Sequence, residues 1–106
     1  MISDKEVLEE IQKELPILVP DRVTKEAILH QLELKISRLL HQNAEVFFQL
    51  LYRLDISEKK FQAALDNKQT AVSAIAVLIY ERQLQKLASR KDNKPSGNAA
   101  DQDLSW

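Results

Sequence analysis

Residues 71–90, Ala71-Val-Ser-Ala-Ile-Ala-Val-Leu-Ile-Tyr-Glu-Arg-Gln-Leu-Gln-Lys-Leu-Ala-Ser-Arg90, decide the fold of this chain. The first half, to Tyr80, is apolar apart from Ser73 and rich in small side chains. It is about half the ~20 residues that a membrane span needs. The second half turns amphipathic, with Leu84, Leu87 and Ala88 on one side. This pattern predicts one long helix from about Thr70 to Arg90. A stretch that is apolar all round is either buried on every side or set at an interface. Ala71, Ala74 and Ala76 would let neighbouring helices approach it closely.

Upstream of this helix the chain reads as four more, each with its own start signal. Asp66-Asn-Lys-Gln69 is a polar turn, with Thr70 as a candidate cap. Ser57 can cap a helix carrying Phe61, Ala64 and Leu65 inward, and Ile56 with Phe61 has the spacing of a hydrophobic staple. Residues 44–54 are unusually apolar, with Val46, Phe47, Phe48, Leu50, Leu51, Tyr52 and Leu54 covering most of the circumference. Asn43 is a plausible cap for this segment. Ile28, Leu32, Ile36, Leu39 and Leu40 form the stripe of a helix that starts after Asp21 or Thr24. Ser3 and Glu6 have capping-box spacing, Ile2 and Val7 form a second staple, and Val7, Leu8, Ile11 and Leu15 share one face. Pro16 forces Leu15 out of the α region and ends that first helix.

The segment Pro16-Ile-Leu-Val-Pro20 is apolar and bracketed by prolines. It is expected to be an extended strap over the core that fills a seam between helices. From Asp92 the helical periodicity vanishes, and Lys94-Pro-Ser-Gly-Asn-Ala-Ala-Asp-Gln-Asp has the composition of a solvated, flexible tail. The expected organisation is therefore one helical domain over residues 1–91 and a polar tail over residues 92–106. The fold class is all-α, a compact array of about five helices. The segments at 44–54 and 71–90 are expected to form the central layer. The expected core includes Ile11, Leu32, Ile36, Phe47, Leu51, Leu54, Phe61, Leu65, Ile75, Leu78 and Ile79.

Composition agrees with this and narrows the function. With 44% hydrophobic and 29% charged residues, the 106-residue chain has the proportions of one folded domain. A single glycine and three prolines are too few for the turns of an all-β fold. A domain this short hides only roughly 60–65% of its unfolded surface, so self-association would help it. The absence of cysteine excludes disulfides, thiolate metal sites and cysteine nucleophiles. The acidic, polar start Met1–Glu10 does not read as a signal peptide, and a cytoplasmic location with no membrane partner is expected.

No catalytic constellation stands out, and no catalytic, metal or cofactor-binding residue is assigned. Gly97, the only glycine, lies in the tail, so no glycine-rich phosphate loop exists. Both histidines, His30 and His41, fall on one helix. Glu26, His30 and Glu33 share a face and could hold a divalent cation, but a closed site would need a fourth ligand. Arg53 and Glu81 could pair across the core.

Two features carry the functional expectation. The aromatic residues Phe47, Phe48 and Tyr52 sit on the most apolar helix, and with Trp106 they are the candidate interaction residues. Arg82, Lys86 and Arg90 recur at every fourth position and form a cationic stripe, while the whole chain carries a net charge of −1. The leading expectation is a non-enzymatic protein–protein interaction or regulatory module that self-associates. The alternatives are a nucleic-acid-associated accessory protein using the cationic stripe, or a small-ligand carrier or enzyme with an apolar pocket at Phe47, Phe48 and Tyr52.

Overall fold

Four helices begin on a side chain that satisfies a backbone amide left open by the first turn. In the computed structural model, which describes residues 2–92, Ser3 caps α1 (Asp4–Glu14), Thr24 caps α2 (Lys25–Gln42), Asn43 caps α3 (Ala44–Arg53) and Ser57 caps α4 (Glu58–Asp66). The Ser3 cap is a full capping box: Glu6 N–H donates to Ser3 Oγ at 3.2 Å, and Ser3 N–H donates to Glu6 Oε1 at 2.9 Å. Asn43 serves twice. Its amide closes α2 onto Leu39 and its Oδ1 accepts from Val46 to open α3. The fifth helix, α5 (Ala71–Asp92), opens with Ala74 N–H donating to Thr70 O at 2.8 Å.

The chain between α3 and α4 turns without glycine. Leu54 ends α3, and Asp55 takes the left-handed conformation at φ 63°. The Asp55 amide bonds Tyr52 O at 3.0 Å and the Ile56 amide bonds Leu51 O at 3.1 Å. This is the Schellman pair of bonds, completed by burial of both Leu51 and Ile56. Aspartate is among the few residues other than glycine that visit this conformation routinely.

The helix α5 is the hub, and α1, α2 and α4 pack on it. Ile75, Ala76 and Ile79 along its middle are fully buried, with Ala71 and Tyr80 nearly so. By contrast, α3 lies chiefly against α2, so it does not share a central layer with α5 as its composition predicts. The reason is visible in its faces. Phe47, Leu50, Leu51 and Leu54 are buried at helical spacing, whereas Val46 and Tyr52 are exposed. Apolar composition alone does not distinguish a helix surrounded by others from one packed on a single face.

The core is continuous and holds most of the expected residues; Leu65 and Leu78 are only partly buried against it. Val7, Leu8, Leu15, Ile28, Leu50 and Ile56 extend it. Residues 15–24 form no helix. Gln12 fastens their start, its side chain donating to Ile17 O at 2.8 Å and accepting from Ile17 N–H at 2.9 Å. Ile17 is half-buried, but Leu18 is 74% and Val19 64% exposed. This segment therefore anchors on Leu15 and Ile17 and presents its next two apolar side chains outward.

Arg53 and Glu81 do not meet. Arg53 pairs with Glu14 at 2.8 Å and Glu81 with Lys25 at 3.8 Å, both near the surface. Helix α5 runs to Asp92, the first residue of the expected tail. The rest of the tail, with Trp106, lies outside the described residues. Among the described residues no helix is long and apolar enough to cross a membrane.

Candidate functional site

The aromatic residues of α3 pack among themselves and onto α4. Phe47 is fully buried, Phe48 half-buried and Tyr52 60% exposed. Phe48 lies 5.9 Å from Phe47 and stacks on Phe61 at 6.1 Å between ring centres, and Tyr52 meets the Phe61 ring edge-on at 6.3 Å. Tyr52 and Val46 thus remain exposed on α3, about 120° apart around the helix with exposed Gln49 between them.

An apolar surface lies where residues 16–18 border α2. Ile17, Leu18 and Leu34 form the apolar part of a groove of about 290 Å³, and Gln31, Lys35 and Arg38 form its polar edge. Leu34 is 48% exposed because it falls off the buried Ile28–Leu32–Ile36 stripe. That offset is readable from helical spacing alone, whereas the exposure of Leu18 and Val19 is not. Along one slanted row of α2, Glu26, His30, Leu34 and Arg38 follow one another at every fourth position, all exposed. Glu26 and Arg38 make no hydrogen bond or ion pair among the described residues. Glu33 accepts from Ser73 Oγ at 3.2 Å, and no group of three His, Cys, Asp or Glu side chains comes together among the described residues.

The cationic stripe lies along α5 and is bracketed by carboxylates. Arg82 Nη2 donates to Asp55 Oδ2 at 2.7 Å, and Arg90 Nη2 to Glu10 Oε2 at 2.7 Å. Lys86, between them, makes no hydrogen bond or ion pair among the described residues. Burial pushes the Glu10 carboxyl up, but hydrogen bonds and charge from Arg90 and Lys13 outweigh it and hold the group below its ordinary range.

Two polar side chains lie inside. Tyr80 is 3% exposed; its hydroxyl donates to Asp4 Oδ1 at 2.8 Å, and the Lys25 ammonium sits 5.4 Å from its ring centre. Burial, and then the Asp4 hydrogen bond and charge, raise the phenol above its ordinary range. Gln83 is 1% exposed, and its Nε2 has no hydrogen-bond partner among the described residues.

Comparison with protein-family models, with characterised proteins and with solved structures finds no significant match.

Proposed function

We propose that this chain is a non-enzymatic interaction module that self-associates through the outer face of α2 and the adjoining groove. The observation that carries this is Leu34 beside Ile17 and Leu18: large apolar side chains clustered at a groove with a polar edge. Clustered exposed apolar surface marks interfaces, whereas apolar residues scattered singly do not. The partner of best fit is a second copy. Its α2, laid antiparallel about a twofold axis between His30 and Leu34, sets Glu26 of each copy opposite Arg38 of the other. A twofold interface must be self-complementary in this way, and the row Glu26, His30, Leu34, Arg38 is acidic at one end and basic at the other. Tyr52, exposed on α3, offers a further apolar contact to the same or another protein. Sedimentation velocity across the micromolar range tests the proposal. The wild-type chain should approach dimer mass, and Leu34→Glu should remain monomeric with unchanged helix content. A wild-type chain that stays monomeric at high micromolar concentration would rule self-association out.

A further inference from the structure

Arg82, Lys86 and Arg90 project from α5 at about 6 Å intervals along the axis. With Gln85, Ser89 and Glu10 they line a cleft of about 260 Å³. The two arginines are braced from outside the row, Arg82 by Asp55 and Arg90 by Glu10. Bracing fixes the guanidinium groups without exhausting them, since each carries five N–H donors. Arg82 Nε is buried with no hydrogen-bond partner among the described residues, and Lys86 has no partner there either. Three cations, a hydroxyl and an amide thus converge on one small cleft, opposed by a single lining carboxylate, Glu10.

We propose that this cleft binds a compact phosphoryl oxyanion, either inorganic phosphate or the phosphoryl group of a small molecule, held by Lys86, Arg90 and Arg82. Arginine forks match the tetrahedral oxygens of phosphate, and lysine adds a point charge. The size fits a small anion, being below the range of pockets for drug-sized ligands, roughly 300–1,000 Å³. A nucleic-acid strand fits less well. No aromatic side chain lines the cleft to stack on bases. Asp55 and Glu10, paired with the arginines at either end of the row, would repel a phosphate backbone running past it. Glu10 stays ionised and competes for Arg90, so removing its charge should help the ligand.

The test is a titration of the full-length chain at low ionic strength, followed by amide resonances and calorimetry, with inorganic phosphate, pyrophosphate and a single-stranded RNA oligonucleotide as separate probes. Saturable shifts confined to residues 82–90 and to α1 around Glu10 are expected with phosphate or pyrophosphate. Tighter pyrophosphate binding would point to a phosphorylated small molecule, and equal or weaker binding to free phosphate. Lys86→Gln should weaken binding about tenfold. Glu10→Gln should tighten it severalfold, and Lys59→Gln, the same charge change at an exposed position of α4, should leave it unaltered. The proposal is overturned if phosphate and pyrophosphate give no saturable shift. It is equally overturned if Lys59→Gln and Lys86→Gln weaken binding alike, or if RNA binds and pyrophosphate does not displace it.

Discussion

Replacing Gln83 by leucine should make the protein more stable, against the usual direction of a core substitution. Tyr80, Gln83, Leu87 and Arg90 follow helical spacing on α5, and Tyr80 and Arg90 bond α1 through Asp4 and Glu10. Gln83 therefore faces α1, where it is 1% exposed and its amide nitrogen has no partner among the described residues. Leaving such a donor buried and unpaired costs about 1–3 kcal/mol. Leucine has a similar volume, and a swap of this kind costs less than about 1.5 kcal/mol in repacking. The net gain expected is about 1–2 kcal/mol. For a domain of this size each kcal/mol moves Tm by about 4–8 °C, so a rise of roughly 5–15 °C should appear in thermal denaturation followed by circular dichroism. The urea midpoint should rise with an unchanged slope. Gln62→Leu on the exposed face of α4 is the control, with a change within about 0.5 kcal/mol. An unchanged or lower Tm for Gln83→Leu would refute the reasoning, since the amide would then be satisfied in the folded protein.

Three further outcomes follow from the same geometry. At the α3–α4 turn, Asp55→Gly and Asp55→Ala both lose the Arg82 pair, yet the glycine variant should be more stable by about 1 kcal/mol in urea unfolding, because only alanine resists the positive φ. Equal stabilities would dismiss the left-handed turn. Glu10 has a depressed carboxyl in the fold, so its contribution is complete above the ordinary glutamate value of about 4.3 and is lost as pH falls through the folded value. Glu10→Gln should accordingly flatten the acid limb of the stability profile, with at most about 1 kcal/mol lost at neutral pH for so exposed an arginine partner. The Tyr80 phenol is raised in the fold, so the unfolded chain releases that proton first. Stability should then fall as pH rises past about 10, and Tyr80→Phe should remove that dependence.

The parts of the fold readable in the sequence are those whose signals are local. Ser3 with Glu6, Asn43 before α3, and Ser57 with Ile56 and Phe61 need only a few residues to specify a helix start, and each stands where spacing places it. The long apolar run of α5 likewise reads as the hub. What spacing does not convey is which elements meet. The apolar residues of α3 do not reveal that it packs on α2 and leaves Tyr52 outside. Arg53 does not announce Glu14, nor Arg82 Asp55, because those pairs depend on how helices far apart in sequence are set together. The same holds for the candidate surfaces. The cationic stripe is visible as a repeat, but the carboxylates that bracket it are not. The exposure of Leu34 follows from its offset from the Ile28–Leu32–Ile36 stripe, a signal that apolar composition alone does not single out, while Leu18 and Val19 look in sequence like core residues.

Self-association through α2 is tested most directly by exchanging its terminal charges. Glu26→Lys and Arg38→Glu, made separately, should each shift sedimentation equilibrium toward monomer, because each sets like charges opposite one another across the twofold axis. The double variant restores the opposite-sign pairing and should recover the mass of the wild-type dimer. A double variant as monomeric as the single ones, or single variants that associate like the wild type, would contradict the antiparallel α2 interface.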